Sequence, residues 1–283
     1  MRDDAGLGVL LSIVIANYNY GRFLEEAIQS VVSQIGDFRS GAVELIVIDG
    51  GSTDNSLEII KRHENELAYW VSEKDNGQSD ALNKGFAKAR GRFLTWLNAD
   101  DVFVSGALAA IVREVTAYPD CEWFTANFYR FIEATKKISE IGWGPHVYPK
   151  WMQHRTSPVV AFGPSAVFSK ALWERAGRVD ESMHLIMDTD LWMRFIAMGV
   201  KQRRITKFVW AFRMHESSKT AEFGDHRISD KRMKMFEEEY RRSVARTGYR
   251  MSRHGRLVLL LLRLIDGSLL RRYYYAKTMI RHG

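Results

Sequence analysis

The chain of 283 residues has one cysteine, Cys121. A single thiol excludes an internal disulfide framework and a cysteine-based zinc site, and it fits a reducing compartment. Its surroundings, "CEWFTANFYRF", predict a buried strand in which a free cysteine serves as core filler. Prolines number only five, and there is no low-complexity tract or 20–50-residue repeat, which argues against disordered and solenoid architectures. No apolar run reaches the roughly 18–20 residues required of a spanning helix. The start, "MRDDAGLGVLLSIVIANYNY", places Asp3 and Asp4 where an export signal carries basic residues, and no small-residue cleavage pattern follows. No GxGxxG follows the first apolar run, and the glycine-rich "DGGSTD" lacks a P-loop lysine, so neither a dinucleotide dehydrogenase nor a P-loop NTPase is supported.

What is present suffices for a sizeable core: 46% of residues are hydrophobic and 27% charged. The length lies between one large domain and two small ones. Charge is unevenly distributed. Residues 225–283 hold 15 Lys and Arg against 6 Asp and Glu, whereas residues 1–224 hold 26 against 28. The basic character therefore belongs to a C-terminal extension, and a boundary is expected near residue 224.

Along the first hundred residues, strands and helices alternate. "VLLSIVIA" (9–16), "VELIVID" (43–49), "LAYWVS" (67–72) and "RFLTWL" (92–97) are expected strands. Of these, 9–16 is a continuous apolar run rich in β-branched residues, as a strand covered on both faces requires, and 43–49 is a second buried strand. Between them, "RFLEEAIQSVVSQ" puts Phe23, Leu24, Ala27, Ile28, Val31 and Val32 on one helical stripe, and "QSDALNKGFAKAR" turns Ala81, Leu82, Phe86 and Ala89 inward. Ser52 or Thr53 is placed to cap the helix "NSLEIIKRHE". This pattern predicts βαβ units, hence an α/β fold with a mostly parallel central sheet, in which ligands sit beyond the carboxyl ends of the strands. Those ends read "ANYN", "DGGSTD" and "NADD", and they should converge on one edge. A helix near 105–117, a strand in "EWFTANFYRFI", a loop-rich aromatic stretch at 141–158, helices near 170–177 and 188–198, a strand in "ITKFVWAFRMH", and helices near 225–245 and 256–280 complete the expected order.

The pair Asp100–Asp101 places two carboxylates at a strand end. It reads as a solvated turn, a helix cap, or ligands for a hard cation that shares its coordination with substrate phosphates. Taken together, "LSIVIANYNYGRFLEEAIQSVVSQ", "ELIVIDGGSTDNS", "DNGQSDALNKGFAKARG" and "LNADD" resemble the successive blocks of family 2 glycosyltransferases from residue 11 to about 108, and more thinly to about 220. The resemblance implies a GT-A (Rossmann-like) fold, with a nucleotide-sugar half at about 9–104 and an acceptor half at about 105–224. It also implies an inverting enzyme using a nucleoside-diphosphate sugar, UDP-sugar foremost, with Mn²⁺ or Mg²⁺ as cofactor. Ala16, Asn17, Tyr18 and Asn19 correspond to the turn around base and ribose, with Ala16 in place of proline. Asp49 and the following Gly50 correspond to the nucleotide-reading segment, and Asp80 and Asn83 to the pocket lining. Asn98, Ala99 and Asp100 occupy the DxD motif, with Asn98 toward the ribose and Asp100 on the metal. Asp101 is left as a helix cap or an outer-shell ligand.

In "MDTDLWMRF" the resemblance makes Asp188 the catalytic base, with Met187 replacing the usual Glu and Asp190 as the competitor. In "FRMHESSKT" it makes His215 a metal or diphosphate ligand. An inverting transfer needs one positioned carboxylate and one cation, but no covalent nucleophile. The implied acceptor is a saccharide or lipid-linked saccharide in surface-glycan synthesis, which fits a protein facing the cytoplasm, peripheral on the membrane. Residues 250–283, with a short leucine run, flanking arginines and three tyrosines, read as an interfacial segment or as a helix pair packed on the catalytic domain or a second subunit. No nucleic-acid signature is found. The alternative to an enzyme is a catalytically inactive binding or scaffold subunit, to which Met187 and Asn98 point.

Overall fold

The computed structural model describes residues 8–36, 38, 41–142, 163–216, 218 and 229–248. Most of the aromatic stretch, the expected helix at 256–280 and the segment 250–283, read as interfacial or as a packed helix pair, lie outside these residues.

The first four strands, β1 (Leu11–Asn17), β2 (Val43–Asp49), β3 (Tyr69–Ser72) and β4 (Phe93–Asn98), are separated by helices α1 (Gly21–Ile35), α2 (Ser56–Arg62) and α3 (Gln78–Lys88). There follow β5 (Val102–Phe103), α4 (Ala107–Ala117), β6 (Trp123–Ile132), β7 (Ile138–Gly142), β8 (Ala166–Ser169), α5 (Lys170–Arg175), α6 (Met187–Ala197), β9 (Gln202–Met214) and α7 (Asp230–Thr247). One sheet runs in the order β3-β2-β1-β4-β8-β6-β9-β5, with β7 on β6. Its first four strands are parallel, while β8 enters antiparallel between β4 and β6.

Both faces of the parallel half are covered, which explains the continuous apolar runs. Alternation sends Ile13, Ile15, Leu45 and Val47 to the face covered by Leu24, Ile28 and Val31 of α1. Val14, Ile46 and Ile48 go to the opposite face, against Leu82 and Phe86 of α3. Helix α3 lies so close to the sheet that a Cβ on Gly85 would stand 2.4 Å from Val14 Cγ1, so only glycine fits there. On the same side Trp192 of α6 is sandwiched between Trp96 and Trp123, with ring centroids 5.8 and 5.7 Å away and nearly parallel planes. That stack fixes α6 against β4 and β6.

Register delivers the strand ends to one edge. Asn17 pairs with Asp49, Ala16 with Asn98, and Asp49 with Ser72. The capping expectation for α2 needs correction. Ser52 and Thr53 turn back toward Asp49 and Asn19, and Asp54 holds both helix starts, accepting from Gly21 N at 2.8 Å and Ser56 N at 3.0 Å. Within the basic C-terminal segment, α7 packs on α6, so the described part of that segment docks on the sheet-bearing domain. Among the described residues no helix is long and apolar enough to cross a membrane.

Candidate active site

A cavity of about 560 Å³ opens at the carboxyl edge of the sheet. Its walls include Ala16, Asn17 and Tyr18 from the end of β1, Gly50 after β2, Asn98, Ala99 and Asp100 after β4, and Asp188 from α6. Sequence-separated motifs thus meet around one space, because parallel strands with right-handed crossovers all end on the same side.

Asp49 is not on that wall. It is fully buried, and its two oxygens accept from Asn17 Nδ2 (2.7 Å), Ser52 Oγ (2.5 Å), Ser52 N (3.0 Å) and Ser72 Oγ (2.6 Å). Its acceptor sites are filled by tying together the ends of β1, β2 and β3. The carboxylate that does reach the cavity nearby is Asp75. Its Oδ1 accepts from Gly77 N at 2.8 Å, and burial with neighbouring carboxylates raises its pKa. Gly50 makes room for it, since a Cβ there would stand 2.6 Å from Asp75 Oδ2. Asn19 lies in the left-handed region (φ 56°) and braces the turn through Thr53 N (2.8 Å). Asp80 accepts from Asn76 N (2.9 Å), shaping the turn before α3. Asn83 is buried against the 179–181 segment, bonded to both backbone groups of Val179 and to Glu181. Asp49, Asn19, Asp80 and Asn83 therefore support the cavity from behind, since short polar side chains after strands are needed to close turns.

At the β4 end, Asn98 Oδ1 accepts from Gln78 Nε2 (2.9 Å), and its Nδ2 donates to Asp101 Oδ2 (2.7 Å). Asp101 is buried and also accepts from Arg213 N (2.9 Å). It is not a helix cap, because α4 begins at Gly106 with no side-chain cap. Burial, and then the adjacent Asp100, push its carboxyl above the usual range, against which the donors Arg213 N and Asn98 Nδ2 hold its charge.

Asp100 Oδ2 meets His215 Nε2 at 3.0 Å. The His215 ring is walled by Phe23 and Tyr20, with centroids 4.6 and 5.8 Å away. Burial and both carboxylates push the Tyr20 phenol up to about 12, so it stays protonated. Arg213, 1% exposed at its side chain, organises this corner. Its Nε donates to the Asp100 carbonyl at 2.7 Å, and its guanidinium pairs with Glu26 and Glu133 between the rings of Phe23 and Phe131.

Among the described residues no group of three or more His, Cys, Asp or Glu converges as a self-sufficient metal cage. Asp100 on the cavity wall and the His215 imidazole bonded to it do fit Mg²⁺ or Mn²⁺, which take few protein ligands and complete their coordination with phosphate oxygens and water.

Across the cavity, Asp188 Oδ1 accepts from Thr189 N (2.6 Å) and Oδ2 from Gly163 N (3.3 Å). Burial raises its pKa. Asp190 is fully buried and pairs with Arg194 (2.8 Å). The two carboxylates lie on different faces of α6, and only Asp188 lines the cavity. Met187 is also on the wall, its sulfur 3.1 Å from Ser79 Oγ. Lys74, Asp75, Gln78, Arg130, His184, Trp210 and Phe212 also line the cavity, with no role assigned to them from the sequence. The inward side of β9 could have disclosed Trp210 and Phe212 by alternation, and Asp75 and Gln78 stand in the block "DNGQSDALNKGFAKARG"; Lys74, Arg130 and His184 carry no local signal.

Residues 12–174 match the family model described as glycosyl transferase family 2. An uncharacterized glycosyltransferase of Nostoc sp. is 37% identical over 106 residues, 36% of this chain and 32% of that protein, so the chain spans about a third of that relative's length. Among solved structures, Staphylococcus aureus TarS 1–349 in complex with UDP-GlcNAc superposes with a TM-score of 0.58 at 16% identity, covering 75% of this chain and 61% of that one. The mannosyltransferase PcManGT of Pyrobaculum calidifontis, in complex with GDP-Man and Mn²⁺, gives 0.56 at 18% identity, covering 97% and 84%. These structural likenesses show a GT-A-type fold.

Proposed function

The chain belongs to glycosyl transferase family 2, and from that membership we propose that it transfers a sugar, with inversion, from a nucleoside-diphosphate sugar to a hydroxyl of a saccharide acceptor. The carrying observation is the placement of Asp188 and Asp100 on the walls of one cavity at the ends of β1 to β4, with the buried His215 imidazole 3.0 Å from Asp100 Oδ2. In this reading the acceptor hydroxyl approaches Asp188, which takes its proton. Burial raises the pKa of Asp188, which makes it a stronger proton acceptor than an ordinary carboxylate. Asp100 and His215 hold a divalent cation, which when bound neutralises charge on the departing diphosphate. Asn98, its amide held by Gln78 and Asp101, lines the ribose side in this reading, and Trp210 and Phe212 add apolar lining for the sugar.

The donor base lies at the β2–β3 end. Three interstrand steps of about 4.8 Å separate β3 from β4, a span suited to a nucleoside diphosphate reaching from Asp75 to Asp100. Asp75, with Oδ1 engaged by Gly77 N, presents Oδ2 as one acceptor. That matches the single imide N–H of uracil better than the paired donors of guanine, which supports a UDP-sugar. Nucleotide complexes of TarS with UDP-GlcNAc and PcManGT with GDP-Man and Mn²⁺ keep both bases and the metal in the reading. A lipid-linked acceptor in surface-glycan synthesis at the cytoplasmic membrane face extends the same proposal.

The test is turnover of UDP-, GDP- and dTDP-sugars with Mn²⁺, Mg²⁺ or EDTA. Metal-dependent hydrolysis or transfer from UDP-sugars supports it. Tight binding of UDP without turnover of any donor would instead assign the chain to an inactive binding subunit.

A further inference from the structure

Glutamate 239 is 1% exposed, at the middle of α7. Unpaired glutamates are almost never buried so deeply, and this one is fully engaged. Its Oε1 accepts from His184 N (2.8 Å), and its Oε2 from Leu185 N (3.0 Å) and Ile186 N (3.1 Å). Three consecutive amides leading into α6 are thus satisfied by one carboxylate from a helix 53 residues downstream. Helix α6 has no side-chain cap of its own at Ile186. The first amides of a helix lack intrahelical acceptors and sit at the positive end of its dipole, so an anion there is doubly suited.

What α7 buries is informative. Its two fully buried side chains are Glu239 and Ser243, and Ser243 Oγ lies 3.4 Å from Met193 of α6. Around them Arg242 donates to Ser182 O (3.2 Å), and Arg246 pairs with Asp180 (2.5 Å). The docking is therefore polar and aimed at α6 and the segment before it. His184, Leu185, Met187 and Asp188 all line the cavity.

We propose that Glu239 is a positioning residue for the transfer reaction: by fixing the amides of residues 184–186 it sets the start of α6 and aims Asp188 at the acceptor. The basic C-terminal segment, through α7, is then a working part of the active site. This inference rests on Asp188 being the base, so Asp188→Asn is measured beside it.

In the full chain, Glu239→Gln keeps the side-chain volume and one acceptor but loses the charge. The expected result is a kcat lowered about 10- to 100-fold by misplacement of the base. UDP affinity by calorimetry and donor KM stay within about twofold, and hydrogen exchange accelerates at the 184–186 amides alone. Retained transfer in Asp188→Asn overturns the base assignment itself. Loss of transfer in Asp188→Asn, with wild-type kcat in Glu239→Gln, overturns the positioning role. Equal loss of kcat and UDP affinity also overturns it, since that signals general collapse. If Glu239→Gln does not fold, Glu239→Asp, which keeps the charge but withdraws it by one methylene, is read by the same criteria.

Discussion

Asp100 Oδ2 and His215 Nε2 stand 3.0 Å apart although 115 residues separate them in the chain. They come from the loop after β4 and the end of β9, and Arg213, two residues before His215, ties the two segments together, bonding the Asp100 carbonyl through Nε and Asp101 through its own amide. Asp100→Ala is expected to weaken Mn²⁺-dependent UDP binding by about 100-fold, and His215→Ala by about 10-fold or more. Binding in EDTA should change little in either variant. Calorimetry with and without metal checks this, and unaltered Mn²⁺-dependent affinity in Asp100→Ala would remove the metal assignment.

Asp188 and Asp190 separate cleanly. Asp188→Asn should lower transfer by about 10²–10⁴-fold while UDP still binds. Asp190→Asn should leave the chemistry in place and lower stability by about 3 kcal/mol, because it strands the buried Arg194 guanidinium. Burial raises the Asp188 pKa, and a base works only when ionised. Hence kcat/KM should fall as pH drops through an acid limb lying above the ordinary carboxylate value of about 3.9. A pH–rate profile and urea denaturation of the two variants decide the matter.

In the proposed function Asp75 exchanges places with Asp49 as the nucleotide contact, since Asp75 lines the cavity and Asp49 is buried. Asp75→Ala is expected to weaken UDP binding roughly tenfold, the worth of a hydrogen bond to a charged group, with little effect on folding. Asp49→Ala leaves the side chains of Asn17, Ser52 and Ser72 without their acceptor, at a cost of about 2–3 kcal/mol. Thermal melts with UDP titrations on both variants test the exchange, which is refuted if Asp75→Ala binds UDP normally.

His63 lies far from the cavity between two glutamates, its Nδ1 2.5 Å from Glu66 and its Nε2 2.7 Å from Glu25. Burial opposes its proton, but Glu66 and then Glu25 outweigh burial and raise its pKa. A raised folded-state pKa contributes stability that is complete below the unfolded value of about 6.5 and is lost as pH rises through the folded value. The stability advantage of the wild type over His63→Gln should therefore shrink above pH ~6.5. Denaturant midpoints from acid to mildly alkaline pH measure it, and a gap that widens with pH would contradict the pairing.

The parallel half of the fold was legible because its code is local. Runs such as "VLLSIVIA" and "VELIVID" state their own burial, and the helical stripe of α1 appears as expected, with Phe23, Leu24, Ala27, Ile28 and Val31 inside. Convergence of the strand ends followed from topology alone. Less was legible where the outcome depends on which neighbour arrives first. Ser52 reads equally well as a helix cap or as a partner for Asp49, and only the register of β1 against β2 brings Asn17 and Asp49 together to claim it.

By itself, then, the sequence determined the α/β class, the edge on which the ligand site lies, and the family whose motifs occupy that edge. Periodicity and strand-end composition are properties of short segments. Tertiary structure decided which carboxylates face the cavity and which are consumed in holding it. Asp49, Asp101, Asp190 and Glu239 are buried and bonded to groups 3 to 112 positions away, whereas Asp75, Asp100 and Asp188 keep the cavity side. A buried carboxylate must have its lone pairs satisfied, and the partners that do so are fixed by packing between elements, which no local pattern records.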